Sequence, residues 1–131
     1  MFFKVDPSNG IAIYEQLARQ VIFAVAGQAL QAGDFVPSVR ELAKQLSVNP
    51  NTVVRAYQQL QNDRILETVR GTGMAITEFA VGKCVKERLR LVRQRLTNVL
   101  GEARRAGLTQ DDLQEMFGEE LGTAFAKGSR A

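Results

Sequence analysis

Residues 37–60 constrain this chain more than any other stretch. From Pro37 to Leu60 they read as two short helices joined by a tight turn, the second opening on small polar residues. Ser38 is a natural N-cap for the first helix, and Glu41 three residues on completes a capping-box pattern. Val39, Leu42, Ala43 and Leu46 form its apolar stripe, and Ser47-Val48 makes the turn. Asn49 can cap the next helix with Pro50 at N1, where a missing N–H costs nothing. Val53, Ala56, Tyr57 and Leu60 then face a core, which leaves Asn51, Thr52, Arg55 and Gln58 or Gln59 outward. Paired helices of this kind put a helix end into the DNA major groove, and the N-terminal amides of the second can meet a phosphate. An ordinary helical hairpin in a small core has the same spacing.

The flanking sequence narrows the choice. Ile13, Leu17, Val21, Ala24 or Val25 and Ala29 predict a helix from about Ala12 to about Leu30, with Gly33 as its left-handed cap. Phe35-Val36 suits a very short strand. After Leu60, strands over Ile65–Val69 and Met74–Glu78 flank the turn Arg70-Gly71-Thr72-Gly73, a hairpin with a basic tip. A hairpin directly after a helix-turn-helix is a wing. From about Val81 to Arg105 the pattern becomes one long helix stopped by Gly107. Val85, Leu89, Val92, Leu96, Val99 and Ala103 recur on it at spacings of 4, 3, 4, 3, 4. Thr109 and Asp112 make a second capping box, and Leu113, Met116, Phe117, Leu121 and Phe125 line the last helix. Residues 126–131 read as a frayed tail.

Composition removes whole classes of function. A chain of 131 residues with 45% apolar and 24% charged content should fold as one domain, or as a small domain with an appendage. It has no histidine, so a histidine-based metal site or general base is ruled out. No nucleotide-type glycine loop is present, because Gly71-Thr-Gly73 is too short. Cys84 is the only cysteine, which excludes an internal disulfide; within a helix and without a base it reads as inert. Asp111, Asp112 and Glu115 are explained by a helix N-terminus rather than by a cation. No enzyme, no cofactor and no metal is expected. Neither a membrane span nor a signal peptide is apparent, so a cytoplasmic location is expected.

Charge is unevenly placed. Residues 1–80 carry seven basic and seven acidic side chains, whereas residues 81–107 carry eight basic against two acidic. The neutral part holds the reading motif. The basic helix adds salt-dependent attraction through Lys83, Lys86, Arg88, Arg90, Arg93 and Arg95, or is merely solvated. Lys83 and Lys86, nearest the wing, are candidates for flanking phosphates.

At this point a family resemblance becomes specific. Tyr14-Glu-Gln16, Gly33 through Ala43, Val48 through Tyr57, Leu60 and Arg70-Gly71-Thr-Gly73 resemble the winged helix-turn-helix of the GntR superfamily of bacterial transcription regulators. The Val-Asn-Pro-Asn-Thr run and the short remainder are similar to its YtrA-type subfamily. The resemblance implies a mainly α fold with a small β-wing: a winged helix-turn-helix over residues 1–78, then a two-helix dimerisation module over residues 79–131. It implies a sequence-specific regulator, most often a repressor, that binds double-stranded DNA at an inverted repeat as a homodimer. A DNA-architectural or protein-interaction module is the alternative, and an RNA-binding winged helix a third reading. A small-molecule effector has no assigned residues.

Roles follow position by position. Asn49, Asn51 and Thr52 match the positions of the second helix that enter the major groove, with Arg55 as a more generic phosphate candidate. Ser38 and Arg40 match positions that meet the DNA backbone or a base edge; Lys44 is again generic, and Arg40 can instead pair with Glu41. Arg70, Gly71 and Thr72 match the wing tip in the minor groove, although Arg70 can equally be a solvated tip. Val85, Leu89, Val92, Leu96, Val99, Phe117 and Leu121 are the expected dimer interface, the stripe also serving to pack on the last helix of its own chain. Two departures stand out. Pro50 replaces an arginine common in the superfamily, which shifts base reading to its short polar neighbours. Arg64 replaces a glycine; if the backbone there has positive φ, it is strained, and its charge would lie near DNA.

Overall fold

The computed structural model describes residues 3–126, so the expected tail beyond Ala126 falls outside the described residues. Five helices and one hairpin follow in the order α1 (Ile13–Ala26), α2 (Val39–Leu46), α3 (Pro50–Asn62), β1 (Leu66–Val69), β2 (Gly73–Ile76), α4 (Ala80–Arg105) and α5 (Gln110–Ala124). The chain divides into two compact units, one ending at Leu91 and the other beginning at Val92.

In the first unit α1 and α2 both pack on α3, and α3 packs on β1. Their apolar stripes converge on one core: Leu17, Val21 and Val25 from α1, Leu42 from α2, and Val53, Ala56 and Leu60 from α3. Leu66 and Ile76 close it from the hairpin, and Ala80, Cys84 and Leu91 from α4. Burial pushes the Cys84 thiol up to about 11, with Glu87 adding to the rise and Lys83 opposing it. The hairpin pairs Leu66 with Ile76 through Val69 with Gly73. Phe35 bridges Ala75 on the other side of β2, so β2 is central and β1 is an edge. Gln16 is buried and holds the N-terminal segment: its side-chain amide donates to Asp6 O at 2.8 Å, and its Oε1 accepts from the Asp6 N–H.

Helix ends explain most of the fold's punctuation. The α1, α2, α3 and α4 helices all close in the same way, with a residue at positive φ just past the helix and two crossed backbone bonds. In α1 that residue is Gln28 (φ 63), with Ala29 N–H donating to Ala24 O and Gln28 N–H to Val25 O. In α2 it is Ser47 (φ 56), with Val48 donating to Ala43. In α3 it is Arg64 (φ 62), with Ile65 donating to Leu60. Gly107 (φ 87) ends α4 in the same way, with Leu108 donating to Ala103.

The end of the first helix and the end of β2, at Ile76 rather than Glu78, differ from the sequence expectation. The first helix stops at Ala26 rather than near Leu30, because Gln28 turns left-handed and the apolar pattern continues beyond it only as Leu30, buried from the loop; Ala29 is exposed. Gly33 therefore caps no helix. At φ 90 it turns the chain so that its N–H reaches Ile76 O at 2.8 Å, which starts the Phe35 bridge.

In the second unit α4 continues to Arg105, turns at Gly107 and is followed by α5, whose Thr109–Asp112 capping box is formed in both directions. Apolar side chains here stay outside. Within this unit Val92, Leu96 and Val99 are about half exposed, Leu121 is 59% exposed, and α5 buries none of its residues. Of the expected stripe only Ala103 is buried, so packing within one chain leaves most of it open.

Candidate nucleic-acid interface

The candidate interface is built from two helix N-termini and one hairpin tip of the first unit. The α2 cap forms as its residues dictate: Glu41 N–H donates to Ser38 Oγ at 3.1 Å, and Ser38 N–H donates to Glu41 Oε1 at 3.0 Å. These bonds, the backbone one first, hold the Glu41 carboxyl below its usual range. Glu41 is thus committed to the cap. No ion pair among the described residues involves Arg40, and Arg40 is exposed one residue inside α2. The N–H groups of Val39 and Arg40 find no acceptor among the described residues, so two amides stand open at that end.

The α3 end is different. Asn49 Oδ1 accepts the Asn51 N–H at 2.8 Å, Thr52 N–H reaches Asn49 O at 2.9 Å, and Pro50 has no N–H. The amides expected to meet a phosphate there are already taken, so what α3 presents outward at this end is its side chains. Asn49 keeps its Nδ2 donors. Asn51 keeps a whole amide, exposed, and Thr52 lies half-buried beside it. Tyr57 fixes α3 against the start of α2: its hydroxyl donates to Pro37 O at 2.7 Å. Burial first, and the Glu41 charge second, push the Tyr57 phenol well above its ordinary range.

The wing tip is closed by Thr72 N–H donating to Val69 O at 3.0 Å, with Gly71 at φ 77. Only glycine takes that conformation freely. Arg70, Gly71 and Thr72 are exposed there, and no ion pair among the described residues involves Arg70.

Other side chains act differently from their expected parts. The Arg55 guanidinium stacks 3.8 Å over the Tyr14 ring, so its cation is held on α1 while it remains exposed. Forty-one positions separate the two residues, and nothing in the spacing announces the contact. Lys83 does not stand free for a phosphate: its Nζ donates to Asp63 O at 2.8 Å, at the C-terminal end of α3. Arg64 has positive φ, as its place suggests, but it precedes β1 at the open end of the hairpin. Four strand residues, about 13 Å, separate that end from the tip. Its charge is therefore remote from the wing tip. Lys44 is exposed in the last turn of α2. No cluster able to hold a metal occurs among the described residues, and no helix there is long and apolar enough to cross a membrane.

Comparison with known proteins agrees with this geometry. Residues 13–76 match the model of the bacterial regulatory proteins of the gntR family. The chain is 35% identical over 116 residues to the HTH-type transcriptional repressor YtrA of Bacillus subtilis (strain 168), covering 88% of this chain and 89% of the relative. Among solved structures, a GntR family transcriptional regulator from Listeria monocytogenes superposes with a TM-score of 0.66 at 31% identity, over 86% of this chain and 97% of that one. YtrA from Sulfolobus acidocaldarius, a GntR-family transcription factor, gives 0.57 at 31% identity, over 75% and 99%.

Proposed function

The chain belongs to the gntR family of bacterial regulatory proteins and is a DNA-binding transcriptional regulator rather than an enzyme; on that premise we propose that it is a cytoplasmic repressor which binds an inverted-repeat operator as a homodimer. Residues 1–78 are the reader and residues 79–131 the dimerisation module. Repression comes from occupying promoter DNA that polymerase needs. The name of the Bacillus subtilis relative supports the repressor role.

The observation that carries the reading is the pair of exposed, differently finished helix ends. At α2, Ser38, Arg40 and two open amides suit a phosphate, with Lys44 one turn on. At α3, the capped backbone leaves Asn49, Asn51 and Thr52 to meet base edges. Asn51, with both halves of its amide free, can bond adenine bidentately. Arg70 enters the minor groove, Gly71 and Thr72 bring the backbone close, and Arg55 holds a phosphate from its seat on Tyr14. One such reader spans few base pairs, so a two-fold partner is required for a specific site. The open stripe of Val85, Leu89, Val92, Leu96 and Val99, with Phe117 and Leu121 of α5, supplies an apolar surface for it.

Genomic footprinting with the purified chain tests the proposal. The expected result is a short palindromic footprint, lost in Arg40→Ala and Arg70→Ala and relaxed in sequence preference in Asn51→Ala. Protection that grows with DNA length and shows no preferred sequence sinks the regulator reading in favour of an architectural one.

A further inference from the structure

At the base of the wing, away from its tip, lies a crevice of about 440 Å³ whose lining includes Gln61, Arg64, Glu67, Thr68, Glu78 and Phe79. Small-ligand sites span roughly 300–1,000 Å³. Every lining residue belongs to the first unit: the end of α3, strand β1 and the connector into α4. Its lining residues bring one basic side chain, Arg64, and two acidic ones, Glu67 and Glu78, around the same space. No ion pair among the described residues joins Arg64 to Glu67 or Glu78. Gln61 Nε2 donates to Thr68 Oγ1 at 3.1 Å beside them. Phe79 is 72% exposed, an aromatic face turned to water next to charges of both signs.

A simple anion entering the crevice meets two carboxylates, and a simple cation meets a guanidinium. A molecule that carries both charges and an apolar group satisfies each wall. We infer that this crevice binds a small zwitterion with an apolar side chain, an α-amino acid or short peptide. Its carboxylate pairs with Arg64, its ammonium with Glu67 and Glu78, and its side chain lies on Phe79. The crevice spans the end of α3 and the strand that leads to the wing tip. A ligand there biases how the wing stands against the reading helix, and so changes operator affinity. This second step rests on the operator reading above, whereas the binding step does not.

Two measurements on the full chain separate them. In the first, L-phenylalanine is titrated by heteronuclear NMR beside phenylalaninamide, which lacks the carboxylate, and N-acetylphenylalanine, which lacks the ammonium. Saturable shifts at the crevice residues are expected with L-phenylalanine, and binding about tenfold weaker with either blocked probe. Arg64→Gly relaxes the backbone and keeps the fold, so its loss of preference for the free carboxylate reports the guanidinium; Glu78→Gln does the same for the ammonium. Absence of saturable shifts, equal binding of all three probes, or shifts unchanged in Arg64→Gly overturns the site. In the second, operator affinity is measured with and without saturating L-phenylalanine. A changed affinity that Arg64→Gly abolishes supports the coupling, and an unchanged one overturns the coupling alone.

Discussion

The two units dispose of their apolar side chains in opposite ways. In the first, Leu17, Val21, Leu42, Val53, Leu60 and Leu66 are all withdrawn from water, and α2 and α3 each start on a side-chain cap. In the second, a stripe with equally regular spacing stays open, and α5 buries nothing. Periodicity announces that a face will be covered; it does not say by what. The first unit covers the apolar faces of α1, α2 and α3 with its own elements. The second calls for apolar surface from elsewhere, which a second copy supplies in the proposed dimer.

Perturbing each region separately tests that contrast. The largest effect belongs to the closed core. Leu60→Ala should lower stability by about 3 kcal/mol through lost burial and a residual cavity, read by urea denaturation; a change below about 1 kcal/mol would mean the site collapses and the core is looser than its burial indicates. The open stripe should give nearly as large an effect, but on association. Leu96→Asp puts an unpaired carboxylate into the proposed interface and should weaken the dimer by roughly 3 kcal/mol, about a hundredfold, in sedimentation equilibrium. The first unit should keep its melting temperature. A dimer of unchanged strength removes this stripe from the interface.

Alkaline pH sharpens the contrast within α4. Cys84 is buried with its thiol held near 11, whereas the unfolded thiol ionises near 9.0, so the unfolded state loses its proton first. Stability contributed by the neutral thiol is present below about 9 and is lost as pH rises towards about 11. Thermal melts across that window should fall, and less steeply in Cys84→Ala; equal slopes would assign the loss to Tyr57 and other groups. The smallest effect should come from Arg64→Gly. Relief of the positive φ, less the added freedom of glycine in the unfolded chain, should raise stability by about 0.5 kcal/mol in the same urea series. A loss instead would show that the arginine side chain stabilises the turn by more than its backbone costs.

Much of this architecture was legible because local chemistry dictates it. Ser38 with Glu41, Asn49 with Pro50 and Thr109 with Asp112 each form the cap that their spacing predicts. Gly107 ends α4 because it takes positive φ without strain. The end of α1 was hidden for the same reason in reverse: glutamine, not glycine, takes the left-handed position at residue 28. Side chains that bind across long separations gave no local signal. Arg55 on Tyr14 and Lys83 on the end of α3 depend on where the whole unit brings them. The state of the α3 amides has no clear sequence signal, because Asn49 suits both a cap and a base contact and only the fold shows its oxygen turned back to Asn51 N–H.

That competition reaches as far as the genome. With one lone pair of Oδ1 engaged inside the protein, Asn49 offers outward chiefly its Nδ2 donors. In the proposed complex the position beneath it is a permissive letter, because every base pair offers a donor at least one acceptor in the major groove. Operators of this regulator should therefore vary more at that letter than under Asn51. Their alphabet would be set by which side chain had already closed its own helix.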